Sequence, residues 1–244
     1  MASAPGSLRS FMKHLNNKKG SDFRKDLTRE AYQDIRKMIF SNELRPGEKV
    51  PYRKMAENLD MSLTPVVQAL KHMEFMGLVE HHQNRGFFIK HVSPDEIEEA
   101  YRLRMMLEPM IIPHTIENLD EEGEKQLERA YNEYLEVSQS PSLKIRLVKD
   151  IQFHMTLAEL SRQKLSILTL RHLFDFLYLR FSQELLFSRP QENAAADHTL
   201  IYNAIKARDV DASKNALEKH ISNIYKNAVE GIQERLDESE KMIF

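Results

Sequence analysis

The chain has 244 residues, enough for one large or two small domains. It contains no cysteine, which excludes a disulfide framework and a thiolate metal site. No run of about 18 apolar residues is present and no apolar leader opens the chain, so neither a membrane span nor a secretory signal is expected, and the expected location is the cytoplasm. Seven glycines and nine prolines, set among many Leu, Glu, Lys and Ala, favour a mainly α protein. The net charge of −2 hides a split. Residues 1–91 hold 16 Lys+Arg against 10 Asp+Glu, whereas residues 92–244 hold 19 against 27. A basic first part on an acidic second part suggests that only the first meets a polyanion.

Residues 1–25 are polar and carry Lys13, Lys18, Lys19, Arg24 and Lys25. They read as a flexible basic extension, with a DNA-touching arm as the sharper alternative. Residues 26–92 read as one unit. A helix is expected over 27–42, capped by Thr28, with Ala31, Ile35, Met38 and Ile39 as its buried stripe. Pro46-Gly47 marks a turn, after which Val50 is placed to pair as a short strand. A helix over 52–59 buries Met55, Ala56 and Leu59. After a tight Asp60-Met61-Ser62 turn, Thr64 as cap and Pro65 at the first helical position start another helix. Val66, Ala69, Leu70, Met73 and Met76 recur along it at helical spacing, and Gly77 ends it. Two short helices in this arrangement form a helix-turn-helix or an ordinary αα-hairpin. The next residues favour the first. Strand candidates 78–82 and 87–89 flank the turn Gln83-Asn84-Arg85-Gly86, and a hairpin directly after the second helix makes a wing. Such a unit lays its second helix in the major groove and its wing along the backbone or minor groove.

Ile35, Leu44-Arg45-Pro46-Gly47-Glu48, Arg53, Met55-Ala56, Leu59, Ser62, Thr64-Pro65-Val66, Ala69-Leu70, Met76-Gly77-Leu78-Val79 and Arg85-Gly86 stand in the order and spacing of the GntR family of bacterial transcriptional regulators, which this stretch resembles. One departure matters. The family usually starts its recognition helix Ser-Arg-Thr-Pro-Val-Arg; this chain has Ser62-Leu63-Thr64-Pro65-Val66-Val67. An arginine reads guanine O6/N7, with about 1–3 kcal/mol of discrimination for a good bidentate pair. Leu63 and Val67 make only apolar contacts, for instance to thymine methyls, so an AT-richer or shape-defined operator is expected. The resemblance implies DNA contacts from Arg53, Leu63, Thr64, Val67, Gln68, Lys71, Arg85 and Gly86. Gln68 suits adenine; a plain solvated face is its alternative.

Ser93-Pro94-Asp95 marks a boundary. No strand pattern follows. Residues 93–237 read as six helices, at about 95–117, 121–138, 141–161, 164–187, 191–208 and 210–236, with 238–244 as a tail. Pro109 and Pro113 are expected to kink or divide the first. The run Leu173 to Leu179 is apolar on more than one face, so its helix is expected to be central. This six-helix arrangement resembles the FCD ligand-binding domain of the FadR subfamily, and the whole resemblance covers nearly all of 27–235.

Polar residues interrupt the apolar stripes. Over 141–161 the stripe reads Leu143, Leu147, Asp150, His154, Leu157; over 191–208, Ala194, His198, Ile201, Ile205; over 210–236, Leu217, His220, Ile224, Ala228. Asp150 and His154, at i and i+4, share a face. Buried groups of this kind are costly unless paired or coordinating. One Asp and three His suit zinc, nickel or manganese; satisfied core histidines are the alternative. The resemblance adds that metal-binding FCD domains use Asp-x3-His on one helix and a His on each of two later ones, which Asp150, His154, His198 and His220 match. On the first helix Tyr101, Arg104 and Glu108 share the stripe of Ile97 and Ile111. Arg104 suits an effector carboxylate, or a structural pair with Glu108. His14, His72, His81, His82, His91, His114 and His172 have no such context, and His81 and His82 in the wing strand read as surface residues, with added positive charge at low pH as the alternative.

These readings converge on a non-enzymatic regulator. It binds a two-fold symmetric double-stranded DNA operator as a homodimer and answers to a metal and a small organic acid, with repression as its expected sign. The alternatives are a metal-dependent, hydrolase-like enzyme and a degenerate regulator acting through protein partners.

Overall fold

The computed structural model describes residues 27–41, 43–91, 93–181 and 194–241. The proposed 1–25 extension lies outside them, as do the ends of two expected helices between 182 and 193.

The head begins with α1 (Leu27–Phe40), α2 (Tyr52–Asn58) and α3 (Leu63–Phe75), followed by β1 (Val79–His82) and β2 (Gly86–Ile89). Ala31, Ile35, Ile39, Val66, Ala69, Leu70 and Met73 are buried together, because α1 and α3 each present one apolar stripe and pack on each other. α3 starts two residues earlier than expected. Ser62 takes the N-cap position with extended backbone, without a side-chain cap bond, so Thr64 is inside the helix and Pro65 sits at its third residue. A proline is tolerated there because first-turn N–H groups have no intrahelical acceptor. Thr28 likewise lies inside α1, and its hydroxyl donates to Gln68 Oε1 (2.9 Å). Gly77 (φ +70°) terminates α3 as its spacing predicts. Its N–H bonds to the Glu74 carbonyl and that of Leu78 to the Met73 carbonyl, a Schellman closure that requires the left-handed backbone glycine allows.

β1 and β2 pair antiparallel, Val79 opposite Ile89 and His82 opposite Gly86. The stretch before α2 lines the other edge of β2. Lys49 bridges to Phe88, and the Val50 N–H donates to the Phe87 carbonyl (2.8 Å). Gly86 (φ +99°) makes the strand entry possible, and a Cβ there would press on Tyr52.

The second half folds as α4 (Pro94–Glu117), α5 (Glu121–Val137), α6 (Leu143–Leu160), α7 (Lys164–Phe181), α8 (Ala194–Lys206) and α9 (Val210–Lys241). α9 runs through most of the segment expected to be a tail. Pro109 and Pro113 leave α4 undivided. α4, α6, α5, α8 and α9 each pack against the next, and α9 returns to α4, closing a ring of helices. α7 lies against α4 and α6 and also meets α1 of the head. α7 therefore packs beside the ring, on two of its helices, and does not take the central place expected for it. The apolar excess of α7 is divided between two neighbours, and its first turns leave Leu165 and Leu168 exposed. Among the described residues no helix is long and apolar enough to cross a membrane.

Candidate metal centre and DNA-reading face

Three helices of the ring point polar groups at one spot. Asp150 and His154 come from α6, one turn apart; His198 comes from α8 and His220 from α9. The three imidazoles are fully buried. One ligand atom from each of the four residues lies within 4.8 Å of all the others. Asp150 Oδ1 is 3.3 Å from His198 Nε2, 3.7 Å from His220 Nε2 and 3.8 Å from His154 Nε2.

The outer nitrogens decide what the inner ones present. His198 Nδ1 is 2.8 Å from the Ala194 carbonyl oxygen, which only accepts, so Nδ1 carries the proton and Nε2 is bare. His154 Nδ1 is 2.5 Å from Glu108 Oε2, and an ionised Glu108 imposes the same tautomer. His220 Nδ1 faces Asp197 Oδ2 at 3.7 Å, and Asn223 holds that oxygen from the other side (3.1 Å). Lone pairs of two imidazoles thus face a carboxylate oxygen. His198 Nε2, buried, finds no hydrogen-bond partner among the described residues. Such a cluster of bare acceptors is unfavourable by itself and favourable around a cation. The residues fit a divalent first-row ion, with nitrogen and oxygen donors and no sulfur.

Charge states agree with this geometry. Burial, reinforced by the neighbouring His220, pushes the His198 imidazole down to about 4 and keeps it neutral near pH 7. Burial works against ionisation of Asp150, yet the three histidines around it hold it well below the usual carboxylate range. Burial also opposes ionisation of Glu108, but Arg104 and His154 override it and hold the carboxyl at about 2. His220 is displaced upward, because Asp150 and Asp197 outweigh its burial.

Arg104 and Glu108, one turn apart on α4, are both buried, and Arg104 Nε donates to Glu108 Oε1 (2.6 Å). The guanidinium lies over Phe174 (4.7 Å) and Tyr101 (5.5 Å). Its Nη2 has no partner among the described residues. The ion pair and the capacity for a further acceptor therefore coexist in one side chain. The sequence patterns left two supports unassigned. Tyr134 of α5 stacks on His198 (centroids 3.8 Å, 20°), and Asp197 backs His220. Asp197 directly precedes a candidate ligand; Tyr134 carried no local signal, since stacking depends on how α5 meets α8.

On the head, Arg53, Leu63, Thr64, Gln68, Lys71 and Arg85 are exposed. Leu63, in the first turn of α3, is 40% exposed, whereas Val67 is half-buried against the head's core. Lys71 pairs with Glu74 (2.7 Å), and Arg85 lies over Phe88 (5.3 Å) at the wing tip. Gly86 shapes the wing through its backbone.

A winged helix-turn-helix head on an all-α sensor bundle defines the class of bacterial transcriptional regulators. Residues 27–89 match the family described as bacterial regulatory proteins, gntR family, and residues 99–223 match the FCD domain. The chain belongs to the GntR family and carries the FCD effector-binding domain. It is 25% identical over 197 residues to the uncharacterized HTH-type transcriptional regulator YdhC of Bacillus subtilis (strain 168), covering 79% of this chain and 87% of that one. It is 24% identical over 208 residues to the HTH-type transcriptional regulator LutR of the same organism, covering 77% and 94%. Its fold is similar to that of E. coli McbR/YncC, with a TM-score of 0.71 at 19% identity over 87% of this chain and all of that one.

Proposed function

We propose that the chain is a metal-loaded repressor that binds a two-fold symmetric operator as a homodimer and is released by a small carboxylate. The observation that carries this reading is the convergence of Asp150, His154, His198 and His220 within 4.8 Å beside a buried arginine with a spare donor. In this reading Asp150 Oδ1 and the Nε2 atoms of the three histidines hold a zinc, nickel or manganese ion. Glu108, the Ala194 carbonyl and Asp197 fix the imidazoles from outside. When bound, the ion supplies a Lewis-acidic centre that attracts an anionic oxygen. Arg104 Nη2 donates to the same carboxylate and sets its orientation, while Phe174 and Tyr101 exclude water from the guanidinium faces.

Arg104 and Glu108 stand on α4, which starts five residues after the last residue of β2. A shift of α4 on effector binding changes the spacing of the two heads, and effector and DNA must then alter each other's affinity by the same factor. Repression relieved by effector is the commoner behaviour in the family. At the operator, Leu63 reads apolar base edges, Thr64 and Gln68 add polar contacts, and Arg53, Lys71 and Arg85 meet phosphates or the minor groove.

The test is a randomised-duplex selection with metal-loaded, full-length protein at two salt concentrations. A two-fold symmetric, guanine-poor motif supports the reading. Sequence-blind binding that collapses with salt is phosphate contact alone and overturns it.

A further inference from the structure

The head and the sensor touch through α7, and the contact is specific. Arg36 on α1 is almost fully buried and its Nη2 is 2.5 Å from Asp175 Oδ1 on α7. The same guanidinium lies over the Tyr178 ring one turn further on (4.9 Å). Nearer the start of α7, His172 Nδ1 lies 2.9 Å from Met76 Sδ, at the residue that caps the recognition helix. The other side of α7 faces the sensor site. Phe174, the neighbour of Asp175 in sequence, is buried under the Arg104 guanidinium (4.7 Å) and against the His154 ring (5.8 Å). Consecutive residues of a helix point about 100° apart, so one rigid turn of α7 touches the sensor site and the DNA head at once. Asp175 is also the single carboxylate in the run Leu173-Phe174-Asp175-Phe176-Leu177-Tyr178-Leu179. A charge in an otherwise apolar segment, paired across domains, marks a position that packing alone does not require.

We infer that α7 couples the sensor to the head: Phe174 registers the placement of Arg104, and the Arg36–Asp175 pair, backed by Tyr178, holds the head in one orientation. This rests on the proposed sensor role of the Arg104 and histidine site and adds the route by which occupancy reaches DNA. An ion held by His154 fixes the ring against which Phe174 packs, and an acceptor that draws the Arg104 guanidinium off the Phe174 ring removes a cation–π partner, so either occupant of the site acts on α7. The turn that carries Phe174 also carries Asp175, so the turn repacks as a unit and alters the latch. The route through α4 acts along the chain; this one acts across space and fixes the angle of the head.

The test uses two readouts. Because the chain has no cysteine, Glu57→Cys on α2 and Glu136→Cys on α5 accept spin labels at defined sites. Labelled chains diluted in unlabelled protein report the head-to-sensor distance within one chain. A single narrow distance is expected with Arg36 and Asp175 in place, a broadened or shifted one in Asp175→Asn, and recovery in the charge-swapped pair Arg36→Asp with Asp175→Arg. In parallel, affinity for a duplex recovered by the selection is measured with chelator-stripped protein and with zinc alone as the probe. The wild type is expected to change by about fivefold or more, and Asp175→Asn by less than about twofold, with zinc affinity by calorimetry unchanged. Asp175→Asn that keeps both the narrow distance and the full zinc dependence overturns the inference. So does wild-type protein that binds zinc with no effect on DNA affinity. If wild-type protein takes up no zinc, the sensor reading fails, whereas the latch still stands or falls on the distance measurement.

Discussion

His154 Nε2 stands 3.2 Å from His220 Nε2, both rings fully buried and nearly parallel (19°). Two N–H groups cannot face each other at that distance, so at least one of these nitrogens presents a lone pair. With His154 Nδ1 committed to Glu108, that nitrogen is His154 Nε2. The contact is therefore a hydrogen bond in the metal-free chain, His220 Nε2–H donating to the bare His154 Nε2, and a cation binding there would replace that proton. Predictions about the site follow from this relationship and from the groups that enforce it.

Glu108 holds the tautomer of His154 and balances the charge of Arg104. Glu108→Gln is expected to lower metal affinity by about 10- to 100-fold, as loss of a supporting carboxylate does elsewhere. It also leaves a buried guanidinium without its counter-charge, which costs about 3 kcal/mol of stability. Calorimetric metal titration and urea unfolding of the same variant separate the two effects.

Metal-free protein is expected to lose stability as pH falls below about 6.5. His198 is held at about 4 in the folded chain, so between its ordinary value of 6.5 and 4 the unfolded chain binds the extra proton. Glu108 is held at about 2 against an ordinary 4.5, so its contribution is full above 4.5 and is lost towards 2. Each shift corresponds to roughly 3 kcal/mol. His220 acts in the opposite sense, because its raised value contributes stability that is full below 6.5 and is lost at higher pH. Asp150, also held low, adds a loss of the same sign, and the His220 offset is already complete at pH 6.5. Urea midpoints between pH 7 and 4 check this; a flat profile contradicts it.

Leu63 stands where the family carries a guanine-reading arginine. Leu63→Arg is expected to move the selected half-site towards guanine, with about 1–3 kcal/mol of new discrimination at one position. Repeating the duplex selection with this variant reads the change directly. An unchanged motif would show that Leu63 does not approach the base edges.

Arg85 at the wing tip is assigned to the DNA backbone or the adjoining minor groove. Arg85→Ala is expected to weaken binding almost equally across sequences and to reduce the salt slope by about one. A change confined to one base position would place Arg85 in base reading instead.

Much of this architecture was legible in the sequence because its signals are local. Gly77 ends α3 because its left-handed backbone closes a Schellman turn, and a glycine at the end of a periodic stretch says as much. The site residues were legible because Asp150, His154, His198 and His220 break apolar stripes that are otherwise regular, and stripe position predicts direction. The start of α3 lies two residues before the expected one, since a proline fits any position of a helix's first turn. The central helix was misassigned because apolarity on several faces describes α7, pinned between sensor and head, as well as a helix buried in a bundle. The Arg36–Asp175 contact joins residues 139 positions apart and has no local signature. Tyr134 over His198 is hidden for the same reason.

The most direct test of the central claim is calorimetric titration of zinc, nickel and manganese into chelator-stripped protein, with His198→Ala alongside. One saturable site per chain, with at least one of these metals, and its loss or severe weakening in His198→Ala is the predicted result. Absence of saturable binding with all three, or binding that His198→Ala leaves unchanged, would contradict the metal centre and the regulatory account built on it.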